Sequence, residues 1–187
     1  MGAWIRTVLV FLILAGTSQA FDSVAIEKGR EAARVLNRTL RAKMLSSMEE
    51  VGPSGTLAVC HYQAQALAGE VAANQGVRVR RTSLRLRNPK NAPDPYERDL
   101  LVRLEKLHRE GKLPPEVFEE QVTDGKRVYR YAKPLLVESM CLTCHGRGEE
   151  IPEGVRRELE VRYPDDGATG YRAGDFRGIV SVVIPQK

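Results

Sequence analysis

The chain is sparing with the residues that usually crowd a redox or metal centre: three cysteines, three histidines, four methionines and one tryptophan in 187 residues. Three cysteines cannot all pair with one another, so a scaffold stapled by disulfides is excluded, and at least one thiol is free, intermolecular or bound to something other than sulfur. Like charges nowhere run five or six together, and the few aromatics, 6% of the chain, do not interleave with basic residues. A nucleic-acid groove is therefore not expected, despite a net charge of +5. The apolar run from Thr7 to Ala15 is shorter than the roughly 20 residues that cross a bilayer. No internal repeat or low-complexity segment is visible.

What is present near the start reads as a leader. Arg6 precedes that apolar run, and Ser18-Gln19-Ala20 ends in small residues at the spacing of a cleavage site. The expectation is a secretory signal peptide over residues 1–20 and a single domain over 21–187, exported to the periplasm. Thiols outside the cytosol tend to be oxidised or occupied.

Residues 24–51 place Ala32, Val35, Leu36, Leu40, Met44 and Met48 at helical spacing until Gly52-Pro53 stops the run. A second helix from about Ser54 carries Leu57, Cys60, Ala64, Leu67 and Val71 on one face. The stretch VRVRRTSLRLR alternates like a strand, but its valines and its leucines are in opposite register, which predicts a break near Arg81 to Ser83. A proline-rich loop from Asn88 to Pro95, a helix from about Tyr96 to Glu110, and a hairpin of Val117–Val122 and Lys126–Val137 around Asp124-Gly125 follow. Pro134 marks an edge or the end of pairing. Pro152 can open a short helix bearing Val155, Leu159 and Tyr163, and a glycine-rich loop leads into IVSVVI, the pattern of a buried central strand. The order predicts an α+β domain with an antiparallel sheet.

The chemistry sits in MCLTCHG, residues 140–146. Cys141, Cys144 and His145 form C-x-x-C-H, the attachment signature of c-type haem. Two thiols on one turn can each reach a vinyl group of the porphyrin, and the histidine directly after them is carried beneath the iron as its proximal ligand. Competing readings are a zinc site completed by Cys60, which lacks the second half of the usual ligand pairing, a thioredoxin-like dithiol, which lacks the βαβ flanks, and a Cys141–Cys144 disulfide across a tight loop. For the other side of the iron the candidates are Cys60, His61, His108, Met44, Met48 and Met140. Met140 adjoins the proximal arm, His108 lies among charged neighbours, and the helix methionines suit core filling.

LAVCHYQAQALAGEV, RRTSLRLRNPKNAPDPYE, YRYAKPLLVESMCLTCHG and YPDDGATGYRAGDFRGIVSVVIP together resemble a family of exported single-haem c-type cytochromes with a PAS-like fold, found in cyanobacteria and other bacteria. The resemblance implies one covalent haem held by Cys141 and Cys144, with His145 on one side of the iron and the thiolate of Cys60, in tandem with His61, on the other. It also places the segments of Arg87, Tyr129, Arg130 and Tyr131 around the pocket as candidate partners of the haem carboxylates. The function it implies is a redox or gas-responsive haem sensor, the alternative being a small periplasmic electron carrier. Catalysis of a peroxidase type is not expected. The partners implied are haem, a redox or signalling protein that reads the switch, a diatomic gas, and a second copy of the chain through the long first helix. Asp165-Asp166-Gly167 reads as a turn, and Asn88-Pro89, Gly170, Gly174 and Gly178 as shapers of backbone.

Overall fold

The computed structural model describes residues 15–123 and 125–186; residues 1–14 of the expected leader and Asp124 of the expected hairpin turn lie outside them. Helix α1 covers Ala15–Gln75, but Gly52 breaks it with φ 68° and ψ 179°, directly before Pro53. Proline offers no N–H to continue the ladder, and glycine tolerates the positive φ, so the break is where the sequence predicts it. The two arms fold back on each other: Lys28 donates to the Gly76 carbonyl at 3.3 Å, and Ala33 and Val71 share one apolar cluster.

Strand β1 (Arg78–Thr82) ends inside the predicted break. Helix α2 (Pro95–Arg109) opens on a capping box, in which the Asp94 carboxylate accepts from the Glu97 N–H and Glu97 accepts from the Asp94 N–H. Two otherwise orphaned donors are thereby satisfied. β2 (Val117–Thr123) and β3 (Lys126–Leu136) form the hairpin, and β4 (Phe176–Pro185) is the last strand. The sheet is antiparallel throughout, in the order β1-β4-β3-β2. IVSVVI is central and buried, as its apolar run predicts. Pro134 lies beyond Ala132, where β2 pairing ends, and pairs only with β4.

Period-two alternation sends the sheet's side chains to two covers. Val79, Tyr131, Val180, Val182 and Ile184 pack on α1 against Ala32, Ala33 and Leu36. Ala132, Ile179 and Phe176 pack on Leu100, Leu101 and Leu104 of α2. Each fully buried side chain of this size contributes about 1.5–3 kcal/mol. Gly29 lets α1 lie close, since a Cβ there would come within 2.6 Å of the Tyr131 Cβ. The two short helices complete the domain: α3 (Leu142–His145) and α4 (Glu153–Arg162). The α1 hairpin tip meets α4, with Leu57 among Ile151, Val155, Leu159 and Tyr163.

Candidate functional site

Val137 leaves the end of β3 with its N–H donated to the Asp175 carbonyl at 2.9 Å, and a 3-10 turn over Ser139–Cys141 leads straight into α3. Cys141, Cys144 and His145 therefore ride on one short turn. A four-residue helix cannot satisfy its own terminal carbonyls, and here other segments do so. The Cys144 carbonyl accepts from the Arg87 guanidinium, the His145 carbonyl from the Tyr171 N–H at 2.9 Å, and the Gly146 carbonyl from the Gly170 N–H at 2.6 Å. Gly170 has φ 78°, which a side chain would resist. The glycine-rich loop is thus the clamp on the motif.

The same loop orients the imidazole. His145 Nδ1 lies 2.6 Å from the Ala168 carbonyl oxygen, so Nδ1 carries the proton and donates, which leaves the Nε2 lone pair free. Burial pushes the His145 pKa well below its ordinary 6.5, with the Arg87 and Arg177 charges adding to the effect, so the ring is neutral. Tyr171 sits edge-on to it at 6.3 Å. Arg87 is fixed in turn by Asp166 at 2.9 Å, and both are nearly buried. The Asp166 carboxylate also accepts from the Ala168 N–H at 2.8 Å, closing the turn that presents the carbonyl.

Cys60 comes from the second arm of α1, near the hairpin tip. Its thiol is half-buried, and burial pushes its pKa up against the opposing pull of Arg81, Arg87 and Lys43. Burial likewise raises Cys144, which also feels Arg87 and Cys60. Cys60, Cys141, Cys144 and His145 all retain some accessible area, and Arg81 at the end of β1 is near enough to act electrostatically on Cys60, Cys141 and His145. All three cysteines are free thiols, which leaves the Cys141–Cys144 disulfide unformed. Among the described residues no three His, Cys, Asp or Glu side chains are gathered where they could hold a metal ion directly, so the zinc reading lacks its cluster.

Of the four residues expected around the pocket, only Arg87 touches the motif. Tyr131 packs near the open end of the α1 hairpin and donates its hydroxyl to Glu116 at 2.9 Å. Tyr129 stacks on Phe118 at 5.1 Å. Arg130 alternates to the α2 face, where it binds Asp94 at 2.9 Å and lies over Tyr96. His108, expected among charged neighbours in solvent, leans on Phe176 at 6.3 Å, on the α2 side of the sheet. His61 lies edge-on to Tyr62 and Tyr163, each at 5.0 Å, with Nδ1 buried and unpartnered. Met44, Met48 and Met140 are half-buried.

Arg81, Asp166, Ala168, Tyr171 and Arg177 did not emerge from the sequence as members of this region. The available signal for Arg177 was Gly178, a glycine opening a strand pattern and therefore a bulge candidate.

A family model described as Tll0287-like: Tll0287 matches residues 18–185. The crystal structure of the cyanobacterial heme-protein Tll0287 shares the fold, with a TM-score of 0.59 at 24% identity over 92% of this chain and 98% of that one. No curated protein matches the chain.

Proposed function

The chain belongs to the Tll0287-like family, and from that membership and the geometry around His145 we propose that it is an exported monohaem c-type cytochrome, PAS-like in arrangement, acting as a redox or gas-responsive sensor. The observation that carries the reading is the bond from His145 Nδ1 to the Ala168 carbonyl. A histidine ligand to a metal characteristically donates its second nitrogen to a carbonyl or carboxylate, which fixes the tautomer and the ring plane. Further support comes from the donor set itself. Two thiols precede the oriented imidazole on one turn, and a third thiol, on another element, is near enough to act electrostatically on Cys144.

In this reading Cys141 and Cys144 would hold the haem covalently, and His145 Nε2 and the Cys60 sulfur would bind its iron. A haem so held would supply a ferric/ferrous couple. The Ala168 carbonyl and the Arg87–Asp166 pair keep the imidazole neutral and aimed. Tyr163 and Leu57 shield the Cys144 side from water. A Cys60 thiolate at the iron would favour the ferric state, and a Cys60 bond that weakens on reduction or on arrival of a diatomic gas would be the two-state element a sensor needs. A partner protein reads that change, and no catalytic turnover is assigned.

The test is to produce the full-length chain alongside a c-type haem maturation system and measure intact mass and the alkaline pyridine spectrum. One haem held through two thioethers is expected, with the matured protein starting at Phe21. Cys141→Ala and Cys144→Ala should each leave a single linkage. Absence of covalent haem overturns the proposal. Spectra taken before and after reduction then separate a sensor, whose coordination changes, from a carrier, whose coordination stays the same.

A further inference from the structure

The surroundings of the motif hold more positive charge than the described residues neutralise. Arg81 stands on β1 in register with Val180, on the same face as Val79 and therefore toward α1 and Cys60. It has no hydrogen-bond or ion-pair partner among the described residues, and its side chain is exposed. The surrounding protein nevertheless lowers its pKa by burial, with the neighbouring sulfurs of Cys60 and Cys141 opposing that shift. Arg81 is thus an accessible cation standing beside two of the three thiols.

Arg177 reaches the same place by a backbone irregularity. Phe176 and Ile179 both pack on α2 although they are three residues apart, which strict alternation forbids. The register of β3 with β4 slips between Leu135 and Leu136, opposite Gly178 with its φ of 145°. The bulge turns Arg177 back toward the motif. There its guanidinium donates to the Arg85 carbonyl at 3.0 Å and lies 5.4 Å from the Tyr171 ring centroid. Neither contact supplies a negative charge. Asp166 is the one carboxylate in the group, and it is already bonded to Arg87. Arg81, Arg87 and Arg177 all act electrostatically on His145, so all three lie near it.

Two arginines thus remain without a counter-charge beside the motif, Arg81 exposed and Arg177 half-buried. A haem carries two carboxylates. We propose that Arg81 and Arg177 anchor the two carboxylate side chains of the porphyrin, the role expected from sequence of Tyr129, Arg130 and Tyr131. The inference rests on the haem reading above. A guanidinium offers a planar fork of donors matched to a carboxylate, so each anchor fixes orientation as well as charge.

The test uses the full-length apoprotein, prepared without haem maturation, titrated by absorbance with haemin and with haemin dimethyl ester, whose carboxylates are blocked. The wild type should take haemin at least about tenfold more tightly than the diester, the difference a charged hydrogen bond contributes. The double variant Arg81→Ala/Arg177→Ala should lose most of that preference while its affinity for the diester is little changed. Arg81→Lys/Arg177→Lys should retain part of it. A folding defect weakens both porphyrins alike and cannot mimic this selective loss. Equal affinity of the wild type for the two porphyrins overturns the anchor assignment and leaves the haem reading standing. So does a preference that survives undiminished in the double alanine variant. Failure of both porphyrins to bind overturns the anchor assignment and leaves the haem reading to the covalent-attachment measurement above.

Discussion

Arg87→Ala should be among the most damaging single substitutions near the motif, for reasons that can be summed from its surroundings. The Arg87 and Asp166 side chains are 12% and 7% exposed and 2.9 Å apart. Breaking a buried pair by deleting one partner leaves the other as an uncompensated charge and costs about 3–5 kcal/mol. The same deletion orphans the Cys144 carbonyl and loosens the turn whose Ala168 carbonyl holds His145. Against a typical total of about 5–15 kcal/mol, the apoprotein should become marginal. Urea unfolding followed by circular dichroism at neutral pH measures this. Arg34→Ala, which removes an exposed pair with Glu31 at 52% and 38% exposure, serves as the control and should cost under about 1 kcal/mol. The double variant Arg87→Met/Asp166→Leu should recover much of the loss, because no buried charge then stands alone. A cost for Arg87→Ala no larger than that of the control would refute the reasoning.

Three further outcomes follow from the fold. Gly178→Ala should destabilise by about 2–4 kcal/mol, since its Cβ would sit 2.3 Å from the Thr82 carbonyl at a φ of 145°; thermal unfolding checks it, and Gly174→Ala, with open space around it, should cost less. The Arg30 guanidinium, with help from the Tyr131 hydroxyl, holds the Glu116 carboxyl below its ordinary 4.5. Its contribution to stability is therefore complete above about pH 4.5 and lost as pH falls through the lower folded-state value. Glu116→Gln should accordingly be less stable than wild type at pH 7, with the gap closing in acid unfolding titrations. Glu97→Ala removes a buried carboxylate that serves both Arg80 and the α2 cap and should cost about 3–5 kcal/mol, read by the same denaturation assay.

Much of this architecture was legible because local chemistry and tertiary packing agree. Gly52-Pro53 marked the hairpin tip, the register conflict after Val79 marked the end of β1, and the unbroken apolar run marked β4 as central. The C-x-x-C-H motif raised the expectation of a c-type haem through its spacing alone. What alternation could not say was which cover each face of the sheet would meet. Tyr129, Arg130 and Tyr131 lie close to the motif in sequence, yet the strand carries them to the far end of the α1 hairpin or to the α2 face. Arg81 looked like one more basic residue in VRVRRTS, and only the docking of α1 brings it beside Cys60. Arg177 was hidden by a bulge that inverts the strand's parity just where Gly178 permits it. The Ala168 carbonyl carries no side-chain signature, because a backbone group is placed by the turn around it.

The measurement that bears most directly on the central claim is an electron paramagnetic resonance and absorption spectrum of the purified ferric and dithionite-reduced protein beside Cys60→Ala. If His145 and Cys60 hold one haem between them, the ferric wild type shows a low-spin thiolate signature that disappears in Cys60→Ala, while covalent haem content is unchanged. A spectrum that is high-spin, or bis-histidine with His61, and is indifferent to Cys60 contradicts that ligation.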